Sequence, residues 1–256
     1  MKIVILAGGL GTRLAEETDI VPKPMVEIGG KPILWHIMKY YASFGFKEFY
    51  IALGYKGDII KHFFYNYFRI SGDISIDLAK GKVKKLKEDC EDWVVNLIET
   101  GLETSTGGRL KRLEPWLKNE TFMLTYGDGV SDINLHKLER FHRTQKRLAT
   151  ITAVRPPARF GGIRLEGDLV TEFVEKPQIG EGWINGGFMV MEPGVFKYIS
   201  GDQINLELHV LDRLSSEEQL AAFKHDNFWQ CMDNIREKRY LEKLWQERQA
   251  PWKKWD

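Results

Sequence analysis

Short apolar runs alternate along the chain with segments in which apolar residues recur every three or four positions. The first run, "KIVILA" (2–7), lacks polar alternation, as expected of a parallel strand buried on both faces. The spacing then predicts a helix over 31–45, "KPILWHIMKYYASFG": Pro32 opens it, Ile33, Leu34, Ile37, Met38 and Tyr41 share one face, and Gly45 closes it in a left-handed conformation. "EFYIAL" (48–53) reads as the next strand, and Ile59, Ile60, Phe63, Phe64, Tyr67 and Phe68 mark the helix after it. "WVVNLIET", "TFMLTYG" and "ATITAVR" continue the strand series, with a helix around Leu135, Leu138 and Phe141 between the last two. Beyond residue 160 the pattern predicts a hairpin, "FGGIRLEGDLVTEFVEKP", turning near Gly167, and then one strand, "WINGGFMVME". A helix carrying Ile235, Leu241, Leu244 and Trp245 and an aromatic tail, "APWKKW", end the chain. Strands alternating with helices argue for an α/β fold, and neither an internal repeat nor a low-complexity linker interrupts them.

Composition narrows the function. A chain of 256 residues, 43% hydrophobic, suits one domain, burying roughly 70 to 75% of its unfolded surface. Lys+Arg 37 against Asp+Glu 36 leaves a formal charge of +1, so no overall basic field points to nucleic acid or to an anionic membrane. Phosphate recognition must therefore be local. Cys90 and Cys231 lie far apart without metal-ligand spacing, which suits free thiols in a reducing cytoplasm. The apolar run after Lys2 is too short for a signal peptide, and no stretch reads as a membrane span.

Candidate chemistry starts at "LAGGLGTRL" (6–14), a glycine loop directly behind the first strand. Backbone N–H groups in such a loop can cradle phosphate oxygens, although the loop alone is a weak signal. A dinucleotide fingerprint requires a third glycine where Leu14 stands and an acidic residue after the second strand, which ends "IALGY". A Walker lysine loop is also absent. The loop instead runs from Gly8 to Gly29 and carries "VPKPM", in which Pro22 and Pro24 stiffen the backbone around Lys23. Arg13 as a bidentate fork and Lys23 as a compact charge would suit a polyphosphate. No nucleophile elbow, zincin motif or histidine ligand spacing accompanies them.

"LAGGLGTRLAEETDIVPKPMVEIGGKP" resembles the signature of the sugar-phosphate nucleotidyltransferases, LAGGxGxRLxxxT followed by PKPM and a later KP, in every element. The resemblance continues through "TGGRLKR", "TYGDGV", "RPPARFGGI", "VEKP", "INGGF" and "FWQCMDN" to the tail, and so covers nearly the whole chain. It implies a Rossmann-like α/β nucleotidyltransferase fold, with a mixed, mostly parallel central sheet flanked by helices and a smaller β-rich sugar-binding portion. Residues 1–256 would form one domain, with a nucleotide-binding half over about 1–127 and a sugar-phosphate half with the C-terminal helix over about 128–256. The implied reaction is attack by a sugar 1-phosphate oxygen on the α-phosphorus of a nucleoside triphosphate, with CTP and α-D-glucose 1-phosphate the expected pair. The implied cofactor is Mg²⁺, and the implied assembly is a homo-oligomer such as a hexamer, with the tail aromatics Trp252 and Trp255 sealing a core edge or a subunit contact.

Residue by residue, the resemblance assigns Lys23 and Arg13 to catalysis. It places Leu6, Ala7, Gly8, Gly9, Gly11, Thr12, Arg13, Lys23, Thr104, Gly108, Arg109 and Asp128 at the nucleotide, and Gly127, Glu175, Lys176, Asn185 and Gly186 at the sugar phosphate. Asp128 and Asp233 would hold the metal, hard oxygen ligands of the kind Mg²⁺ takes. Cys231 stands where the family has proline and Asn234 where it has threonine, which bears on the local backbone around Asp233. Gly107 and Gly108 are expected to let backbone approach closely while Arg109 projects toward the pyrimidine, and a carbonyl of the "LAGG" backbone around Leu6 to face its amino group. Structural readings stay open beside these: Asp128 capping a turn, an N-cap at Asn234 explaining Asp233, Glu175 and Lys176 as an exposed pair, and Arg109 as part of a basic helix. So do enzymes of the same chemistry using another base or sugar, and a non-catalytic nucleotide-sugar sensor.

Overall fold

The computed structural model describes residues 1–11, 14, 18, 20–87, 90–156, 162–166, 169–174 and 182–255. Eight strands form the central sheet: β1 (Ile3–Leu6), β2 (Glu48–Leu53), β3 (Val94–Glu99), β4 (Phe122–Tyr126), β5 (Ala149–Val154), β6 (Ile184–Asn185), β7 (Met189–Met191) and β8 (Leu220–His225). β1 lies at the centre, parallel to β2 on one side and to β4 on the other, and β3 extends the sheet parallel to β2. β7 pairs antiparallel with both β4 and β5, and β8 runs parallel to β5. The sheet is thus mixed and mostly parallel.

β1 is buried throughout, and its alternate residues serve opposite faces. Ile3 and Ile5 pack with helix α1 (Ile33–Ser43), Leu241 and Trp252. Val4 and Leu6 pack with Leu110, Leu113, Leu117, Leu206 and Leu214 on the other face. A period of two along a strand covered on both sides explains why the run carries no polar residue. α1 begins after Pro32 and is followed by Gly45 at φ +86°. The remaining longer helices are α2 (Gly57–Ile70), α3 (Thr106–Arg112), α4 (Leu135–Gln145) and α5 (Ile235–Gln246).

One expectation changes, and another, Trp252 at a core edge or a subunit contact, narrows to the first. The single strand over 183–192 is interrupted: β6 and β7 both pair antiparallel with β5, but Gly187 at φ +74° and Phe188 at φ +46° break the extended backbone between them. The tail tryptophan Trp252 is buried in the chain's own core, where its Nε1 donates to His36 Nδ1 at 3.4 Å and its ring stacks on Phe228. That leaves it no surface to offer a subunit contact. The hairpin beyond residue 160 forms from Gly162–Glu166 and Leu169–Val174. Among the described residues no helix is long and apolar enough to cross a membrane.

Candidate active site

A cleft of about 420 Å³ opens at the C-terminal ends of β1 and β4, where open α/β sheets place ligands. The glycine loop (Leu6, Ala7, Gly8, Gly9, Gly11) forms one wall. Lys23 with Pro24, residues 104–106 with Arg109, residues 126–128, and Asn205 complete it. Gly127 fits because a side chain there would press on Pro24 and on the Leu6 carbonyl. That carbonyl accepts the Gly127 N–H at 3.0 Å, which uses one of its two lone pairs.

"VPKPM" folds as a single 3-10 turn, Lys23–Met25, led in by Pro22, and buries all three residues. The turn aims the Lys23 ammonium at two carboxylates: Nζ donates to Asp128 Oδ2 at 2.5 Å and to Asp233 Oδ1. Burial pulls the ammonium pKa down, but the two carboxylates outweigh it and hold the group above its ordinary value.

Asp128 and Asp233, 105 positions apart in the chain, meet through a two-stranded ribbon. Gly129–Ser131 pairs antiparallel with Trp229–Cys231, Gly129 opposite Cys231, and Met232 N–H donates to the Asp128 carbonyl at 2.8 Å. Asp233 then stands just before α5. The helix is capped by Asn234, whose side chain accepts from Glu237 N–H at 3.0 Å, while the Glu237 carboxylate accepts from Asp233 N–H at 2.6 Å. The capping role thus belongs to Asn234, and the Asp233 carboxylate faces Lys23. Two carboxylates close enough to share one ammonium also fit a small hard divalent cation, whose preferred ligands are such oxygens.

At the other end of the cleft Arg109 is almost wholly buried. Its Nη1 donates to the Leu53 carbonyl at 3.1 Å, Thr100 Oγ1 at 2.8 Å and the Gly101 carbonyl at 2.6 Å. Its Nη2 donates to the carbonyls of Gly8 at 3.0 Å and Leu102 at 3.1 Å. Burial, and secondarily the charge of Arg112, lowers its pKa. A Cβ on Gly8 or Gly54 would lie 2.4 Å from the guanidinium, which accounts for glycine at both positions. Arg109 therefore borders the cleft but spends its Nη donors on the chain, correcting the expectation that it projects toward a pyrimidine. Gly107 and Gly108 are corrected likewise: the backbone they admit is the chain's own, with Cβ positions 2.7 Å from the Ile204 carbonyl and 2.3 Å from that of Asp202.

Asn185 and Gly186 lie behind Tyr126. Asn185 Nδ2 donates to Tyr126 Oη at 3.2 Å, its Oδ1 accepts from Gly187 N–H at 3.0 Å, and the Gly186 carbonyl accepts from Trp229 Nε1 at 2.7 Å. The structure therefore brings Leu6, Ala7, Gly8, Gly9, Gly11, Lys23, Thr104, Arg109, Gly127 and Asp128 to one cleft, with Asp233 joined through Lys23. Thr12, Arg13, Glu175 and Lys176 lie outside the described residues. Sequence reasoning missed Thr106, Tyr126 and Asn205. Tyr126 sits inside the quoted "TYGDGV" and was within reach, whereas Asn205 has no motif around it.

A glycine loop on a central parallel strand, a buried lysine and two carboxylates at its open end define a site for moving phosphoryl-linked groups. Residues 2–232 match the Nucleotidyl transferase family model, and the chain belongs to that family. It is 48% identical over 257 residues, the full length of both chains, to a glucose-1-phosphate cytidylyltransferase of Salmonella typhi. It is 41% identical, again over the full length of both, to a probable glucose-1-phosphate cytidylyltransferase of Bacillus subtilis. Among solved structures, HddC from Yersinia pseudotuberculosis shares the fold at TM-score 0.69 and 24% identity, over 95% of this chain and 99% of that one.

Proposed function

We propose that the chain transfers the cytidylyl group of CTP to α-D-glucose 1-phosphate, giving CDP-glucose and pyrophosphate. The observation that carries the reaction class is the convergence of Lys23, Asp128 and Asp233 at the open end of the glycine loop. The choice of cytosine and glucose follows the two full-length relatives. A sugar-phosphate oxygen attacks the α-phosphorus in line, the bond to the β-phosphate breaks, and pyrophosphate carries away the electron pair. Both partners are anionic, so the protein's task is positioning and charge compensation, with no nucleophile of its own.

In this reading the backbone of Gly8, Gly9 and Gly11 lies along the triphosphate, and Thr12 and Arg13 also serve the nucleotide. Lys23 offsets charge at the reacting phosphates, and Asp128 and Asp233 would hold Mg²⁺. The bound ion would supply further charge neutralisation and orient phosphate oxygens. Glu175, Lys176, Asn185, Gly186 and Gly127 serve the sugar phosphate and Thr104 the nucleotide, while Arg109 adds a fixed positive charge to the cleft wall. The same reading includes a homo-oligomer, tested by mass in solution.

The test is pyrophosphate release over a grid of nucleoside triphosphates and sugar 1-phosphates, with mass identification of the product. CTP with glucose 1-phosphate should give the highest kcat/KM, and chelation should abolish it. A higher value for another pair would reassign the substrates, and no turnover anywhere would make the chain a sensor.

A further inference from the structure

Behind the cleft a chain of hydrogen bonds has an unambiguous direction. Asn185 Nδ2 donates to Tyr126 Oη at 3.2 Å, and Tyr126 Oη donates to Glu207 Oε1 at 2.6 Å. From the opposite side Thr106 Oγ1 donates to Glu207 Oε2 at 2.8 Å while accepting Leu206 N–H at 2.9 Å. A carboxylate only accepts, so Glu207 is the sink in which both branches end and sets the sense of every hydroxyl proton in them. The other end of the Asn185 amide is fixed as well, because its Oδ1 accepts Gly187 N–H. Gly187 itself is held to glycine by φ +74° and by the Tyr126 ring, 3.0 Å from where its Cβ would stand.

Glu207 reaches this place from a π-helical turn, Leu206–Leu211, capped by Asn205, which lines the cleft. Such turns are rare and concentrate at functional sites. Tyr126 and Thr106 line the same cleft from its two sides, so one carboxylate ties both walls together.

We infer that Glu207 and Tyr126 are positioning residues for the sugar phosphate: they orient Asn185, so that its amide keeps one N–H and one carbonyl lone pair for a sugar hydroxyl. This rests on the reading of Asn185 as a sugar contact. Neither Glu207 nor the Tyr126 hydroxyl need touch the ligand for the arrangement to act. Removing the hydroxyl leaves the amide held through Oδ1 by Gly187 N–H, without the bond that fixes Nδ2.

The test compares steady-state kinetics of Asn185→Ala, Tyr126→Phe, Glu207→Gln and the double variant Asn185→Ala/Tyr126→Phe, with thermal midpoints measured alongside. Tyr126→Phe should raise the KM for glucose 1-phosphate about tenfold while changing the KM for CTP less than about twofold. Glu207→Gln, which keeps the side-chain volume and one acceptor, should move the same parameter in the same direction by less. Because Tyr126 acts through Asn185, the double variant should match Asn185→Ala alone. Additive effects, or an unchanged sugar KM in Tyr126→Phe beside a raised one in Asn185→Ala, would overturn the relay. An unchanged sugar KM in Asn185→Ala would instead remove the reading of Asn185 beneath it. Should Tyr126→Phe lower the midpoint enough to obscure kinetics, Glu207→Gln decides by the same split between the two KM values.

Discussion

At one end of the cleft Lys23 is held by the carboxylates of Asp128 and Asp233; at the other, Arg109 is held by carbonyl and hydroxyl oxygens of the chain itself. The charges differ accordingly. One ammonium and two carboxylates sum to −1 (+1 and −2), while the guanidinium stands at +1 among neutral partners. The first arrangement suits a divalent cation brought in with phosphates. The second places a fixed positive charge in the cleft wall and knits the Gly8, Leu53 and Gly101 segments together. The second end is a brace of five hydrogen bonds from one buried guanidinium.

The comparison can be broken most severely at the carboxylates. Asp128→Asn removes a charged ligand but keeps the shape, and turnover should fall at least about 10³-fold, with the thermal midpoint near wild type. Activity within tenfold of wild type would detach Asp128 from the reaction.

Arg109→Ala should act on stability first. The variant loses five hydrogen bonds, but Gly8 and Leu53 keep the N–H groups of Tyr55 and Thr100 and only the Gly101 and Leu102 carbonyls lose this donor, so a cost of about 2 kcal/mol is expected, read as a lowered denaturation midpoint, with the KM for CTP rising more than that for glucose 1-phosphate. Arg109→Lys, unable to reach all five oxygens, should recover little. A stable Arg109→Ala enzyme would return this residue to the helix surface.

A third polar cluster, outside the cleft, sharpens the contrast because it is neutral. His36 donates from Nε2 to the Ile28 carbonyl at 2.7 Å and accepts the Trp252 indole N–H at Nδ1. A proton on Nδ1 would oppose that donor. Burial pulls the imidazole down to about 4, below an unfolded value of about 6.5. Between those values the unfolded chain binds more protons, so stability is complete above about pH 6.5 and declines as pH falls toward 4, by on the order of 3 kcal/mol. Denaturant midpoints at intermediate pH values should show this slope in wild type and a flatter one in His36→Phe. Equal slopes would remove His36 from the acid response. Smallest of all, Asn234→Ala should cost about 1 kcal/mol as a lost N-cap, with the metal dependence retained; a gain or loss of metal affinity would tie the cap to Asp233.

How much of this was legible in the sequence depended on the range of the interaction. β1, β2 and β4 were readable because strands buried on both faces carry near-continuous apolar runs, and α1 because Pro32 and Gly45 punctuate it. The glycine loop, Lys23 and Asp128 were readable as a pattern local to each segment. The meeting of Asp128 with Asp233 was not, since it depends on the register of Gly129 against Cys231 across the ribbon. The use of Arg109 was misread because an arginine after two glycines looks alike whether it faces a ligand or the chain's own carbonyls. Strand β8, Leu220–His225, escaped because its short apolar run, Leu220 to Phe223, is half alanine, a residue that favours helix over strand. Glu207 sits in no motif, and the π-turn that delivers it has no sequence signature.

The assignment of chemistry to one end and nucleotide holding to the other is tested most directly by Lys23→Ala, with single-turnover rate and CTP affinity measured on the same preparation. The account predicts a rate lowered at least about 10²-fold, the loss expected on removing one preorganised charge-stabilising donor, with a CTP Kd within a few-fold of wild type. A rate within a few-fold of wild type, or a loss confined to CTP affinity, would contradict it.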